Sequence, residues 1–200
     1  MVRFLVPLLM VVAGALVVAL YRDRREREGR RLSELRGCFL HGAPLAGFAP
    51  IGSRVEVADP GLLVRIRLPA GWSGGFEDSK GASFDCGSGR RLRLDLLTLE
   101  PPGAGGKGLL ESLAAARPEA ERSLETLPGG LQLLKYLESR GGGSDQQVVF
   151  CWQLARLLSS GQARVASFAF SVPGEQAGEV YVRADLALLD REIREAAICD

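Results

Sequence analysis

The chain has 200 residues, 46% of them hydrophobic and 24% charged, with a formal net charge of +1. That length suits one domain plus a short appendage, and the apolar content is enough for a buried core. The near-neutral balance excludes a global electrostatic argument for nucleic acid or for an acidic substrate.

Phe4 to Tyr21 reads FLVPLLMVVAGALVVALY, without a charge. About 18 residues at a rise of about 1.5 Å cover about 27 Å, enough to cross a bilayer core as a helix. Pro7 falls in the first turn, where its missing N–H costs little, and Tyr21 suits the interface. Ala13-Gly14-Ala15 has the small-x-small form of a signal-peptidase site. The apolar run continues past that triplet and an arginine cluster follows at once, which favours an uncleaved anchor over residues 1–21. Arg22, Arg24, Arg25, Arg27, Arg30, Arg31 and Arg36 outnumber Arg3 on the other side. The positive-inside rule therefore predicts a single-pass protein with its main domain on the cytoplasmic face.

Residues 22–36 read as a charged stalk helix. Asp23, Glu26, Glu28 and Glu34 interleave with the arginines at pairing distance, and the same stretch could meet anionic lipid. It has no interleaved aromatics for nucleic acid. Residues 37–53 are rich in Gly, Ala and Pro and read as a linker. The predicted domain covers 54–200. Val55 and Val57 precede the Asp59-Pro60-Gly61 turn, and Leu62, Val64, Ile66 and Leu68 alternate as a half-buried strand. Strands follow at Ala82–Cys86 and Arg91–Leu99 around a Gly87-Ser88-Gly89 turn. A helix carries Leu109, Leu110 and Leu113, and Pro118 kinks or restarts it. Leu131–Glu138, Gln147–Leu157 and Ala163–Val172 read as an antiparallel meander. The closing helix aligns Val182, Leu186, Leu189, Ile193 and Ala197 on one stripe, with Asp190–Arg194 and Arg191–Glu195 pairs opposite. This order predicts an α+β domain, an antiparallel sheet of about six strands with packed helices, preceded by one transmembrane helix.

Few motifs survive inspection. The cysteines Cys38, Cys86, Cys151 and Cys199 stand singly and His41 is the one histidine, so the sequence implies no metal and no cofactor. The even cysteine count permits two disulfides in an oxidising compartment, although isolated thiols serve equally well as small buried hydrophobes. Gly103 to Gly108 imitates a phosphate loop, but Pro101 takes the first glycine position and Gly108 replaces the hydroxyl residue. Gly71-Trp72-Ser73-Gly74-Gly75 has the letters of a nucleophile elbow without its strand-to-helix setting, and His41 precedes the serine in the linker. A Cys38–His41 pair shares that position. Glu175, Glu179 and Asp185 fit a solvated helix face. Trp72 and Trp152 read as core or rim packing, with a groove lining as the alternative. No catalytic residues are assigned.

The segment VRIRLPAGW, Val64 to Trp72, resembles the opening strand and Pro-x-Gly-Trp turn of the PsbP/DcrB-like superfamily, in particular its bacterial DcrB-like branch. The order of elements agrees over residues 54–198, with a closing helix introduced by Pro173-Gly174-Glu175. The resemblance implies a sandwich used for binding or assembly, as in a nuclear-transport cofactor, a photosystem subunit and envelope proteins acting as secretion chaperones. The sequence thus predicts a membrane-tethered, non-enzymatic module with the lipid bilayer at residues 4–21 and a protein partner. A small-ligand binder or hydrolase-like enzyme around Trp72, and an anionic-lipid module acting through the stalk, are the alternatives.

Overall fold

A computed structural model describes residues 5–41, 51–59, 62–76, 81–99, 109–157 and 162–196. The first helix, α1 (Leu5–His41), is 37 residues long, about 55 Å at the standard rise. Two strands, β1 (Ile51–Asp59) and β2 (Leu62–Pro69), pair antiparallel as a separate ribbon. The main sheet comprises β3 (Ser73–Phe76), β4 (Gly81–Asp85), β5 (Arg91–Leu99), β6 (Arg122–Thr126), β7 (Gln132–Arg140), β8 (Gln147–Leu157) and β9 (Ala163–Pro173). Its order is β3-β4-β5-β9-β8-β7-β6, antiparallel throughout. Helix α2 (Leu109–Ala115) precedes β6, and α3 (Val180–Arg194) closes the described chain.

Because side chains alternate along a strand, the sheet has two distinct faces. The inner face gathers Leu92, Leu94, Leu96, Phe150, Trp152, Phe168 and Phe170, all at most 1% exposed. The stripe Val182, Leu186, Leu189 and Ile193 of α3 packs there, as do Val64, Ile66 and Leu68 of the ribbon. The Arg67 backbone N–H donates to Glu192 Oε2 at 3.1 Å and ties the ribbon to α3. A smaller core lies on the outer face, where α2 sets Leu110 and Ala114 against Leu134, Tyr136, Val149 and Cys151.

The antiparallel α+β architecture, the meander β7-β8-β9 and the closing helix agree with the sequence reading. The ribbon and the main sheet together hold more strands than the about six expected for one sheet. Two strands escaped the reading. β3 is built from glycines, and a Cβ at Gly74 would lie 2.1 Å from the Ser83 carbonyl oxygen. Pro118 does not restart the helix: α2 ends at Ala115, and a single 3-10 turn over Glu119–Glu121 leads into the short polar strand β6.

The linker expected from residue 37 also needs correction. Helix α1 continues through Gly37 to His41, with Leu35, Phe39 and Leu40 buried in the main core at 1%, 1% and 2% exposure. Burial of those three side chains outweighs the helix penalty of one glycine, about 1 kcal/mol. At the far side of the linker, residues 51–53 belong to β1. Among the described residues no helix is long and apolar enough to cross a membrane. The span expected at Phe4–Tyr21 falls almost wholly outside the described side chains, as do Arg3, Arg24, Arg25 and Glu28.

Candidate functional site

Three regions gather polar or reactive side chains. The first lies inside. Lys135 takes an inner-face position of β7, between Leu133 and Leu137, and is 1% exposed. Its Nζ stands 3.5 Å from Asp190 Oδ1, 4.0 Å from Glu125 Oε1 and 5.3 Å from the Phe39 ring centre. Arg194 completes a balanced quartet, donating to both Glu125 oxygens at 2.8 and 2.7 Å and to Asp190 Oδ2 at 2.8 Å. Trp152 Nε1 donates to Asp190 Oδ1 at 2.9 Å. Burial pulls the Lys135 ammonium below its usual range, and Asp190 opposes that pull. Each charge is matched, so the quartet ties α1, β6, β7, β8 and α3 together. Phe39 meets Trp152 edge-on at 5.0 Å and Phe150 at 5.2 Å, closing it from the α1 side.

The second cluster pins the β4–β5 turn to α3. Arg90 pairs with Asp185 and lies 4.7 Å over the Tyr181 ring. Its Nε donates to Ser88 Oγ at 2.9 Å, and Cys86 Sγ is 3.1 Å from the same oxygen. Asp185 was expected on a solvated face; it is 6% exposed instead. Burial pushes its carboxyl up to about 6, with Arg90 pulling the other way. Glu175 is exposed as expected, and Glu179 lies at the start of α3, 3.7 Å from Arg31.

The third region is the outer face. At one end α2 covers it, held by Arg117, whose guanidinium stands 3.7 Å over the Tyr136 ring and donates to the Leu113 carbonyl at 3.1 Å. Cys151 lies beneath; burial first, and Glu138 second, push its thiol up to about 12. It therefore stays protonated and poorly nucleophilic at neutral pH. Between α2 and β6 lies an open depression of about 430 Å³ lined by Glu111, Ala114, Ala115, Glu119, Arg122 and Leu124. At the other end, β4, β5 and β9 turn Asp85, Arg91, Arg93 and Leu97 to solvent, beside the half-buried Ser83, Asp95, Ser167 and Ser171. Arg93 Nε donates to both Asp95 oxygens at 3.0 and 2.9 Å, and Leu97 is 44% exposed.

The residues weighed from sequence scatter across these regions. Trp72 is core, 5.6 Å from the Phe170 ring, and does not line the depression. Trp152 is core and a hydrogen-bond donor. Ser73 lies in β3 opposite Asp85, away from any strand-to-helix turn. Cys38 and His41 belong to the last turns of α1 instead of a linker. Cys38, Cys86 and Cys151 are free thiols, while Cys199 lies outside the described residues, as does the loop 103–108. Among the described residues no three His, Cys, Asp or Glu side chains gather as a metal site. The Asp190–Arg194 pair is present, whereas Arg191 meets the adjacent Glu192 at 3.5 Å. Sequence reading missed Lys135, although its parity with Leu133 and Leu137 was the available signal.

No protein-family model matches the chain, and no curated protein does. Among solved structures, LpqN of Mycobacterium tuberculosis, involved in cell envelope biogenesis, superposes with a TM-score of 0.50 at 17% identity. The match covers 75% of this chain and 92% of LpqN. The Ran-binding protein Mog1p of Saccharomyces cerevisiae gives 0.41 at 16% identity, over 76% and 97%. A Bacteroides thetaiotaomicron protein gives 0.44 at 13% identity, over 68% of this chain and 47% of its own, so the chain spans about half of that protein. At such identities the likeness to LpqN shows a shared fold alone, an antiparallel sheet with packed helices.

Proposed function

We propose that the chain is a membrane-tethered, non-enzymatic module that binds a protein partner on the open half of its outer sheet face. The observation that carries this reading is the asymmetry of the sheet. The inner face is closed by α1, α3 and the ribbon, whereas β4, β5 and β9 leave an outer surface of mixed charge around exposed Leu97. Such an open surface of mixed charge, without a concave pocket, suits a protein contact better than a small molecule. The depression beside α2 has no aromatic lining and lies on the opposite face from Trp72, which weakens the small-ligand alternative. The Val64–Trp72 segment supports the same reading through its resemblance to the DcrB-like branch.

Two features support the tether. The apolar run at 4–21 is the right length for a bilayer core. Where its side chains become described, Val18 and Leu20 are 68% and 61% exposed, without cover from the domain. The cytoplasmic orientation of the domain rests on the arginines after the span.

The test is site-specific photocrosslinking of the full chain in its native membrane. A photoreactive residue at Asp85 or Leu97 is expected to trap one protein, and Arg93→Glu is expected to abolish that product. Absence of any adduct from the outer face, or substrate turnover by the purified chain, would remove this reading.

A further inference from the structure

The end of the domain where α1 enters carries two exposed apolar side chains in sequence. Val180 is 73% exposed and Tyr181 44%, although both belong to the first turn of α3. Helices α1 and α3 run side by side in the same direction from that end. Arg31 Nη1 lies 3.7 Å from Glu179 Oε1, and Arg183 Nη2 lies 3.8 Å from Glu34 Oε2. Gly178 lies so close that a Cβ there would stand 2.9 Å from the Arg31 Cβ. The first turn of α3 is therefore level with Arg31, ten residues beyond Tyr21, or about 15 Å along the helix.

Side chains on a helix lean toward its N-terminus, so Val180 and Tyr181 lean back toward the membrane end of α1. The headgroup layer is about 5 to 8 Å thick on each side of the bilayer core. A helix tilt within the ordinary range, about 20° on average and up to about 40°, together with the reach of a tyrosine, closes the remaining distance. The chemistry also fits. A tyrosine favours the interface, and valine adds apolar area. Arg30 is exposed and has no acidic partner among the described residues, which leaves its charge for an anionic headgroup.

We propose that Val180 and Tyr181, together with the exposed Arg30 of α1, rest on the anionic headgroup layer of the membrane that holds α1. The domain then has two membrane contacts, which fix its orientation and turn the outer sheet face in a constant direction. This inference rests on the tether reading.

The experiment uses the full chain carrying Tyr181→Trp, reconstituted into phosphatidylcholine vesicles containing phosphatidylserine and a headgroup-nitroxide lipid. Trp72 and Trp152 are buried, so the quencher reads the added tryptophan. The expected result is loss of the added emission, restored by Val180→Asp and weaker on vesicles without phosphatidylserine. Vesicles that carry the chain on flotation but leave the added emission unquenched overturn the inference while leaving the tether intact. Equal quenching on neutral vesicles overturns the part given to Arg30. A chain that does not float with vesicles overturns both readings.

Discussion

The two faces of the sheet solve different problems with similar residues. On the inner face Lys135 is sunk into the core and forms a charge-matched quartet with the half-buried Asp190, Glu125 and Arg194 at its edge. On the outer face Arg93 and Asp95 meet at the surface, beside an exposed leucine. A buried network fixes how elements join, since breaking it leaves an unpaired charge in low dielectric. An exposed pair contributes little to stability and leaves its chemistry available. Construction is the work of the inner face, and the recognition we propose falls to the outer one.

The largest effects are expected on the inner face. Phe39→Ala should cost about 3 to 5 kcal/mol in denaturant unfolding of the full chain in detergent, the usual range for a truncated core aromatic. A linker residue would cost almost nothing, so this variant also tests whether α1 is part of the core. Asp190→Ala should cost about 3 kcal/mol or more, because Lys135 loses its nearest anion and Trp152 Nε1 its acceptor. Restoring charge balance with Lys135→Met in the same chain should recover part of that loss.

Asp185 offers a pH test of the second buried pair. Its folded-state value of about 6 lies above the ordinary aspartate value of about 3.9. Between those values the unfolded chain releases the proton first, so the associated stability is full below about pH 4 and lost as pH rises through about 6. The change is about 2 to 3 kcal/mol, and Asp185→Asn should flatten the profile in that window.

Effects shrink toward the outer face. Arg117→Ala removes the contact over Tyr136 and a carbonyl donor at the end of α2, for about 1 kcal/mol. Leu97→Asp should cost at most about 1 kcal/mol, the strand-propensity difference at a position that is already 44% exposed.

Much of the architecture was legible because strand alternation is strong wherever one face is apolar, as in Leu92-Leu94-Leu96 and in the three strands of the meander. The closing helix was legible through its stripe of Val182, Leu186, Leu189 and Ile193. Local signals misled where tertiary packing overrode them. Gly37 imitates the start of a linker, yet Phe39 and Leu40 hold the helix on the sheet. β3 is glycine-rich because its backbone approaches β4 closely, and glycine reads as loop. The site was less legible than the fold. Lys135 and Asp185 look like solvent-facing charges in a linear reading, because only the packed neighbours show that each meets a partner indoors. The open half of the outer face has no local signature, since it depends on where α2 stops covering the sheet.

The most direct test compares the two faces in one assay: full-chain Arg93→Glu and Asp190→Ala, each measured for unfolding free energy and for the crosslink from Asp85. The account predicts that Arg93→Glu unfolds within about 0.5 kcal/mol of the unsubstituted chain and loses the adduct. It predicts that Asp190→Ala is destabilised by about 3 kcal/mol but keeps the adduct while folded. An outer-face variant that keeps the adduct at full yield would contradict the division between a face that builds the domain and a face that binds.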